Sequence, residues 1–128
     1  VEVVGQEQTI SGAQLDKHGR LCSQRCTALH YNADSNTTVV EIHMHTGHQH
    51  QIRTILAHEG HPIVGDVTYG PYLEARDSTN LHSAGQLQTQ QKYSRLMLHA
   101  RWLSLTTESV SVEACSPIPQ AFDCLVDH

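Results

Sequence analysis

Aromatic residues are scarce, with one Phe, one Trp and four Tyr in 128 residues. Hydrophobic residues make up 38%, so the core must be modest and mainly aliphatic. A chain of this length nevertheless suits one domain, burying roughly 65–70% of its unfolded surface. Positive charge is also short: eight Lys and Arg face thirteen Asp and Glu, for a net charge of −5 with histidine neutral. Nucleic-acid binders concentrate Lys and Arg to neutralise phosphates, so this balance argues against strong non-specific binding by this chain alone. Eleven histidines soften it on protonation below about pH 6.5. No apolar run approaches the ~18 residues of a membrane span, and no signal-like start is present. The four cysteines, at 22, 26, 115 and 124, lack the Cys-x2-Cys spacing of a zinc ribbon. They read as reduced, partly buried thiols. Neither an internal repeat nor a long linker is visible. The chain opens on Val1 rather than Met, which leads us to expect an N-terminus that is processed, cut or incompletely known.

What is present is a patterned middle. "CTALHYNADSNTTVVEIHMHT" predicts a hairpin: an extended run over 26–31, a turn at Asn32–Asn36 and a second run over 37–45. In the second run Val40, Ile42 and Met44 share one face, and Val39, Glu41, His43 and His45 the other. The spacing of Ile52, Ile55 and Leu56 predicts a helix over 49–59, with Gly60 where a helix C-terminal glycine belongs. Arg53 falls at the edge of its buried stripe. "HPIVGD" reads as a short apolar strand or bend and "YGPY" as a turn. Residues 74–92 have almost nothing to bury and read as an exposed loop or insertion. "RLMLHARWLSL" is expected to be extended, and "VSVEACSPIP" alternates like a last strand. The consistent class is α+β, with a mixed, largely antiparallel sheet and helices.

Residues 43–66 carry six of the eleven histidines and the only arginine between positions 26 and 75. Two readings follow from residue types alone. His43, His45 and His48 have the His-x-His-x-x-His spacing of zinc hydrolases, and imidazoles at a strand end can converge on a metal. That motif, however, needs an Asp where Gly47 stands, and the chain is short for the remaining ligands. Alternatively, these histidines are packing and surface residues with no shared chemistry.

A third reading comes from order. "TGHQHQIR" followed by "GHPIVGDVTYG" resembles the signature of the RluA-type pseudouridine synthases, T-G-R-[TS]-H-Q-[IL]-R and then G-H-P-[IL]-x-G-D-x-x-Y-G. "RLMLHARWLSL" is similar to that family's R-L-x-L-H-A and following strand. "VEACSPIPQAF" resembles its closing A-P-x-P-x-x-F, and "CTALHYNADSNTTVVEIHMHTG" its A-x-T-x-Y hairpin. The four blocks run in family order across about residues 20–122.

The resemblance implies the C-terminal portion of a pseudouridine synthase catalytic domain over 1–128, in the pseudouridine synthase fold. It implies isomerisation of uridine to pseudouridine in rRNA or tRNA, without cofactor or metal. By matching position, Arg53 is the catalytic residue this chain contributes. In the family the nucleophile is an aspartate in a dry pocket, and a guanidinium keeps such a carboxylate ionised and oriented. His48, Gln49, His50 and Gln51 fall in the RNA-binding motif, with His50 and Gln51 also shaping the strand–helix junction. Leu96 and Leu98 match positions that wall off the flipped base, where core packing is an equal reading. Gly65-Asp66 reads as a turn more than as a catalytic carboxylate.

Two departures matter. His48 and Gln49 replace the motif's Arg and Thr/Ser, which weakens a phosphate contact or an internal ion pair. The nucleophile motif, H-R-L-D-x-x-T-S-G, is absent, and "QLDKHGR" around Asp16 lacks its flanking residues. The chain alone is therefore expected to be inactive. Its expected partners are RNA and the N-terminal half of the catalytic domain, on the same longer chain or another, with no membrane. An intracellular location, cytoplasmic or organellar (mitochondria included), goes with that activity. The competing readings are a degenerate, non-catalytic RNA-binding or assembly module and the histidine-rich zinc hydrolase.

Overall fold

The computed structural model describes residues 14–15, 19–70 and 95–125. The loop expected at 74–92 and the aspartate at position 16 lie outside the described residues. Strands β1 (Gln14–Leu15) and β2 (Leu21–Cys22) pair antiparallel. The hairpin of β3 (Gln24–Asn32) and β4 (Thr37–Met44) follows. Its turn is closed by side chains: the Ser35 N–H donates to Asn32 Oδ1 at 3.0 Å, and Asn36 takes a left-handed φ of 50°. The register sets Cys26 opposite Ile42 and Ala28 opposite Val40, and shifts at Leu29 between Ala28 and His30. One face of the hairpin therefore collects Val40, Ile42 and Met44, as their alternation predicts.

Helix α1 spans Gln51–His58 and buries Gln51, Ile55, Leu56 and Ala57. It begins two residues later than the apolar spacing predicts. The reason is His50, whose φ of 55° and ψ of 22° are incompatible with a right-handed helix. The other end follows the sequence. Gly60 takes a φ of 88°, its N–H donates to the Ala57 carbonyl, and the His61 N–H donates to the Leu56 carbonyl. That pair of bonds is a Schellman closure, which a left-handed glycine permits.

"HPIVGD" is a bend, not a strand: the Asp66 N–H donates to the Ile63 carbonyl at 3.0 Å. "RLMLHA" makes no ladder either, and its Met97 N–H donates to the Val64 carbonyl at 2.9 Å. Regular extended structure resumes only with β5 (Trp102–Thr106), paired antiparallel with β6 (Ser111–Cys115), before a 3-10 helix over Gln120–Leu125. The class is α+β as expected, with the described strands forming three two-stranded antiparallel sheets. Among the described residues the buried apolar ones are Cys22, Cys26, Ile55, Leu56, Ala57 and Met97.

Candidate active site

The site is built at the β4–α1 junction. Gln51, the first residue of α1 and 2% exposed, organises it through its amide. Its Nε2 donates to the Ser23 carbonyl (3.2 Å) and Gln24 Oε1 (3.3 Å), while Oε1 accepts from the Thr46 hydroxyl (2.7 Å) and the His48 N–H (3.3 Å). Thr46 Oγ1 in turn accepts from the Ser23 N–H at 2.8 Å. A buried amide with both ends engaged fixes where the loop leaves β4 and where α1 starts.

Arg53 then projects one turn into α1, and its partner is Asp66. The guanidinium donates from Nε to Oδ2 (2.8 Å) and from Nη2 to Oδ1 (2.9 Å), a two-point grip. The Asp66 side chain is 1% exposed, and that of Arg53 is 17% exposed. Oδ1 of Asp66 also accepts the N–H groups of Thr68 (3.1 Å) and Tyr69 (3.0 Å). Burial pushes the Asp66 carboxyl upward, but the Arg53 bond and the two backbone N–H groups outweigh it and hold the group below its ordinary value. Asp66 reciprocally raises the Arg53 guanidinium. The turn expected at Gly65-Asp66 is therefore present, and its carboxylate is also the anchor of Arg53. Gly65 is needed there: its φ is 79°, and a Cβ would collide with the Arg95 carbonyl.

A cavity of about 330 Å³ opens beside this pair. Ile52, Leu96, Leu98 and Met44 give it an apolar wall, and His48, His50, Gln51 and Arg53 a polar one. It is open to solvent, with its apolar and polar faces side by side. The structure thus brings together six of the seven residues singled out from sequence. Gln49 is exposed and does not line the cavity. The His48 ring is tied to β2 by Nε2, which donates to the Leu21 carbonyl at 3.0 Å. His50 shares a 2.9 Å hydrogen bond with the Tyr69 hydroxyl, and the Tyr69 ring lies 4.9 Å from the Arg53 guanidinium carbon. Sequence reasoning left Tyr69 and the ionic role of Asp66 unassigned, although both stand in the quoted "GDVTYG" block. Their spacing gives no hint that a helix thirteen residues upstream is their partner.

The zinc spacing does not gather its histidines. The His43 ring bonds to Glu41 at 3.1 Å, while the His48 ring is held by β2. Among the described residues no three His, Cys, Asp or Glu side chains are grouped to hold a metal.

Comparisons with known proteins point one way. No protein-family model matches the chain. The RNA pseudouridylate synthase domain-containing protein 1 of Bos taurus is 42% identical over 74 residues, 58% of this chain and 20% of that protein. Ribosomal large subunit pseudouridine synthase D of Pseudomonas aeruginosa is 34% identical over 87 residues, 66% of this chain and 26% of its own. The Pasteurella multocida protein of the same name is 36% identical over 94 residues, 72% and 28% respectively. The solved structure of human RNA pseudouridylate synthase domain containing 1 superposes with a TM-score of 0.56 at 27% identity, over 84% of this chain and 39% of that one. The chain therefore spans only a fifth to little more than a quarter of these curated relatives. With the motif blocks in order, curated relatives 34% and 42% identical over part of the chain and a shared fold, the chain belongs to the RluA-type pseudouridine synthase family.

Proposed function

We propose that this chain supplies the arginine-bearing half of an RNA uridine isomerase site, acting on rRNA or tRNA. The observation that carries the reading is Arg53, gripped along one edge by Asp66 and lining a cavity with an apolar wall. In the reaction, the N1–C1′ bond of a flipped uridine breaks and the base turns. A C5–C1′ bond then forms, C5 loses its proton, and N1 gains one. No oxidant, reductant or metal is needed for that balance. A flipped base has lost its stacking, at a cost of a few kcal/mol, and Ile52, Leu96 and Leu98 offer apolar contact in exchange. Nη1 of Arg53 makes no hydrogen bond among the described residues, so it is the donor available to an incoming carboxylate or base oxygen.

The nucleophilic carboxylate belongs, in this reading, to the N-terminal half of the domain. RNA tritiated at uridine C5 tests it. The chain by itself releases no tritium, and release appears when the carboxylate-bearing half is joined to it. Arg53→Ala in the joined protein then lowers release by about 10²-fold or more, the loss expected for a preorganised donor. Release by the isolated chain, or release indifferent to Arg53→Ala, overturns the assignment.

One observation favours a second reading, a non-catalytic RNA-binding or assembly module. The His48 ring replaces an arginine and is already engaged by Leu21, on a chain of net charge −5. An R-L-D-x-x-T-S-G motif upstream in the natural protein supports catalysis; a natural protein without it supports the module.

A further inference from the structure

Arg53 is held from two sides, and only one of them is a charge. Asp66 grips the Nε and Nη2 edge, and the ring of Tyr69 sits 4.9 Å from the guanidinium carbon. Both constraints come from one short turn, because the Asp66 carboxylate that grips Arg53 also accepts the Tyr69 N–H. Two hydrogen bonds along one edge leave a planar cation free to swing about that edge. An aromatic face against it removes the swing and attracts the positive charge.

The Tyr69 ring is itself fixed by His50. The hydroxyl and Nδ1 lie 2.9 Å apart, and the two rings meet edge to face at 5.7 Å and 79°. His50 holds this place at a conformational cost. It precedes α1 in a left-handed backbone conformation and makes no side-chain cap to the helix. Histidine gains nothing there as a helix starter, whereas Asn or Gly would take the same backbone with less strain. Strain kept at the rim of a cavity points to a role for the side chain that the strain positions.

We propose that Tyr69 is a positioning residue for Arg53, pressing the guanidinium into the plane it needs at the cavity, and that His50 fixes Tyr69 through its hydroxyl. The proposal rests on the reading of Arg53 as the residue that meets the uridine.

Nitrogen-15 NMR of Arg53 tests it directly. In the wild-type chain its Nε–H gives one slowly exchanging signal, and its Nη protons are displaced upfield by the Tyr69 ring. Tyr69→Phe keeps that displacement and, without the hydroxyl that His50 holds, speeds Nε–H exchange only as far as His50→Asn does. Tyr69→Leu abolishes it and speeds Nε–H exchange about five- to tenfold, in line with the loss of a partly desolvated cation–ring contact. Backbone amide signals of Gln51–His58 stay in place. His50→Asn, which suits the left-handed backbone, speeds exchange by about twofold or more while the helix signals persist. An Arg53 signal unchanged in Tyr69→Leu overturns the proposal, and so does Tyr69→Phe behaving like Tyr69→Leu. Should Tyr69→Leu unfold, His50→Asn decides by the same rule, and unchanged exchange overturns it. Titration with uridine 5′-monophosphate separates this from the functional reading. Affinity about tenfold weaker in Tyr69→Leu supports both. A wild-type chain that does not bind the nucleotide counts against the functional reading alone, because the Arg53 signal still decides the positioning.

Discussion

The β4–α1 junction and the β5–β6 hairpin hold their shape in opposite ways. At the junction, the two most deeply buried polar side chains are taken out of water and matched: Gln51 with four partners, Asp66 with Arg53 and two backbone N–H groups. In the hairpin the ladder is complete from Trp102–Cys115 to Thr106–Ser111, yet all ten strand residues are exposed. Leu103, Leu105, Val112 and Ala114 share one of its faces by register. The junction is specified by satisfied burial, so single changes there are expensive. A two-stranded ladder with no covered face is marginal by itself, and single apolar changes there remove little.

The largest break in that contrast is expected from Asp66→Asn. It leaves the Arg53 guanidinium without its ionic partner in a mostly buried site and should cost about 3 kcal/mol in urea unfolding. The same variant sharpens the pH dependence. The folded Asp66 carboxyl lies below its unfolded value, so its stabilisation is present above about pH 4 and is lost as pH falls through the folded value. The wild type should therefore lose stability on acidification below about pH 4, and Asp66→Asn should lose less over the same window. Next, Gly65→Ala combines a left-handed backbone with a collision at the Arg95 carbonyl, and a loss of roughly 2–3 kcal/mol is expected. Gln51→Ala strips partners from Gln24 Oε1 and the His48 N–H and should cost about 2 kcal/mol by the same measurement. The smallest effect belongs to the hairpin: Leu105→Ser should change stability by no more than about 0.5 kcal/mol. A loss above about 1 kcal/mol for Leu105→Ser, growing with protein concentration, would reveal a hairpin covered by a second copy and erase the contrast.

The hairpin of β3 and β4 was legible because alternation over 37–44 leaves one register that keeps Val40, Ile42 and Met44 together. The end of α1 was legible too, since Gly60 is the residue that a Schellman closure prefers. Its beginning was not. Nothing in "GHQHQIR" announces that His50 is left-handed, because residues other than glycine rarely adopt that backbone and the partners that meet His50, Thr54 and Tyr69, lie outside the block. "HPIVGD" reads as strand or bend with equal ease. The bend won when Gly65 turned the chain so that Val64 meets Met97 instead of a ladder partner.

By itself the sequence determined the family and the α+β class, and it singled out Arg53 as the residue to look for, because these live in residue identity and order along the chain. Tertiary structure alone decided what Arg53 touches. Asp66 stands thirteen residues away, Tyr69 sixteen, and Leu96 more than forty. Such pairings arise only when a buried carboxylate must find a cation and a turn must find its donors, and no local propensity encodes that choice.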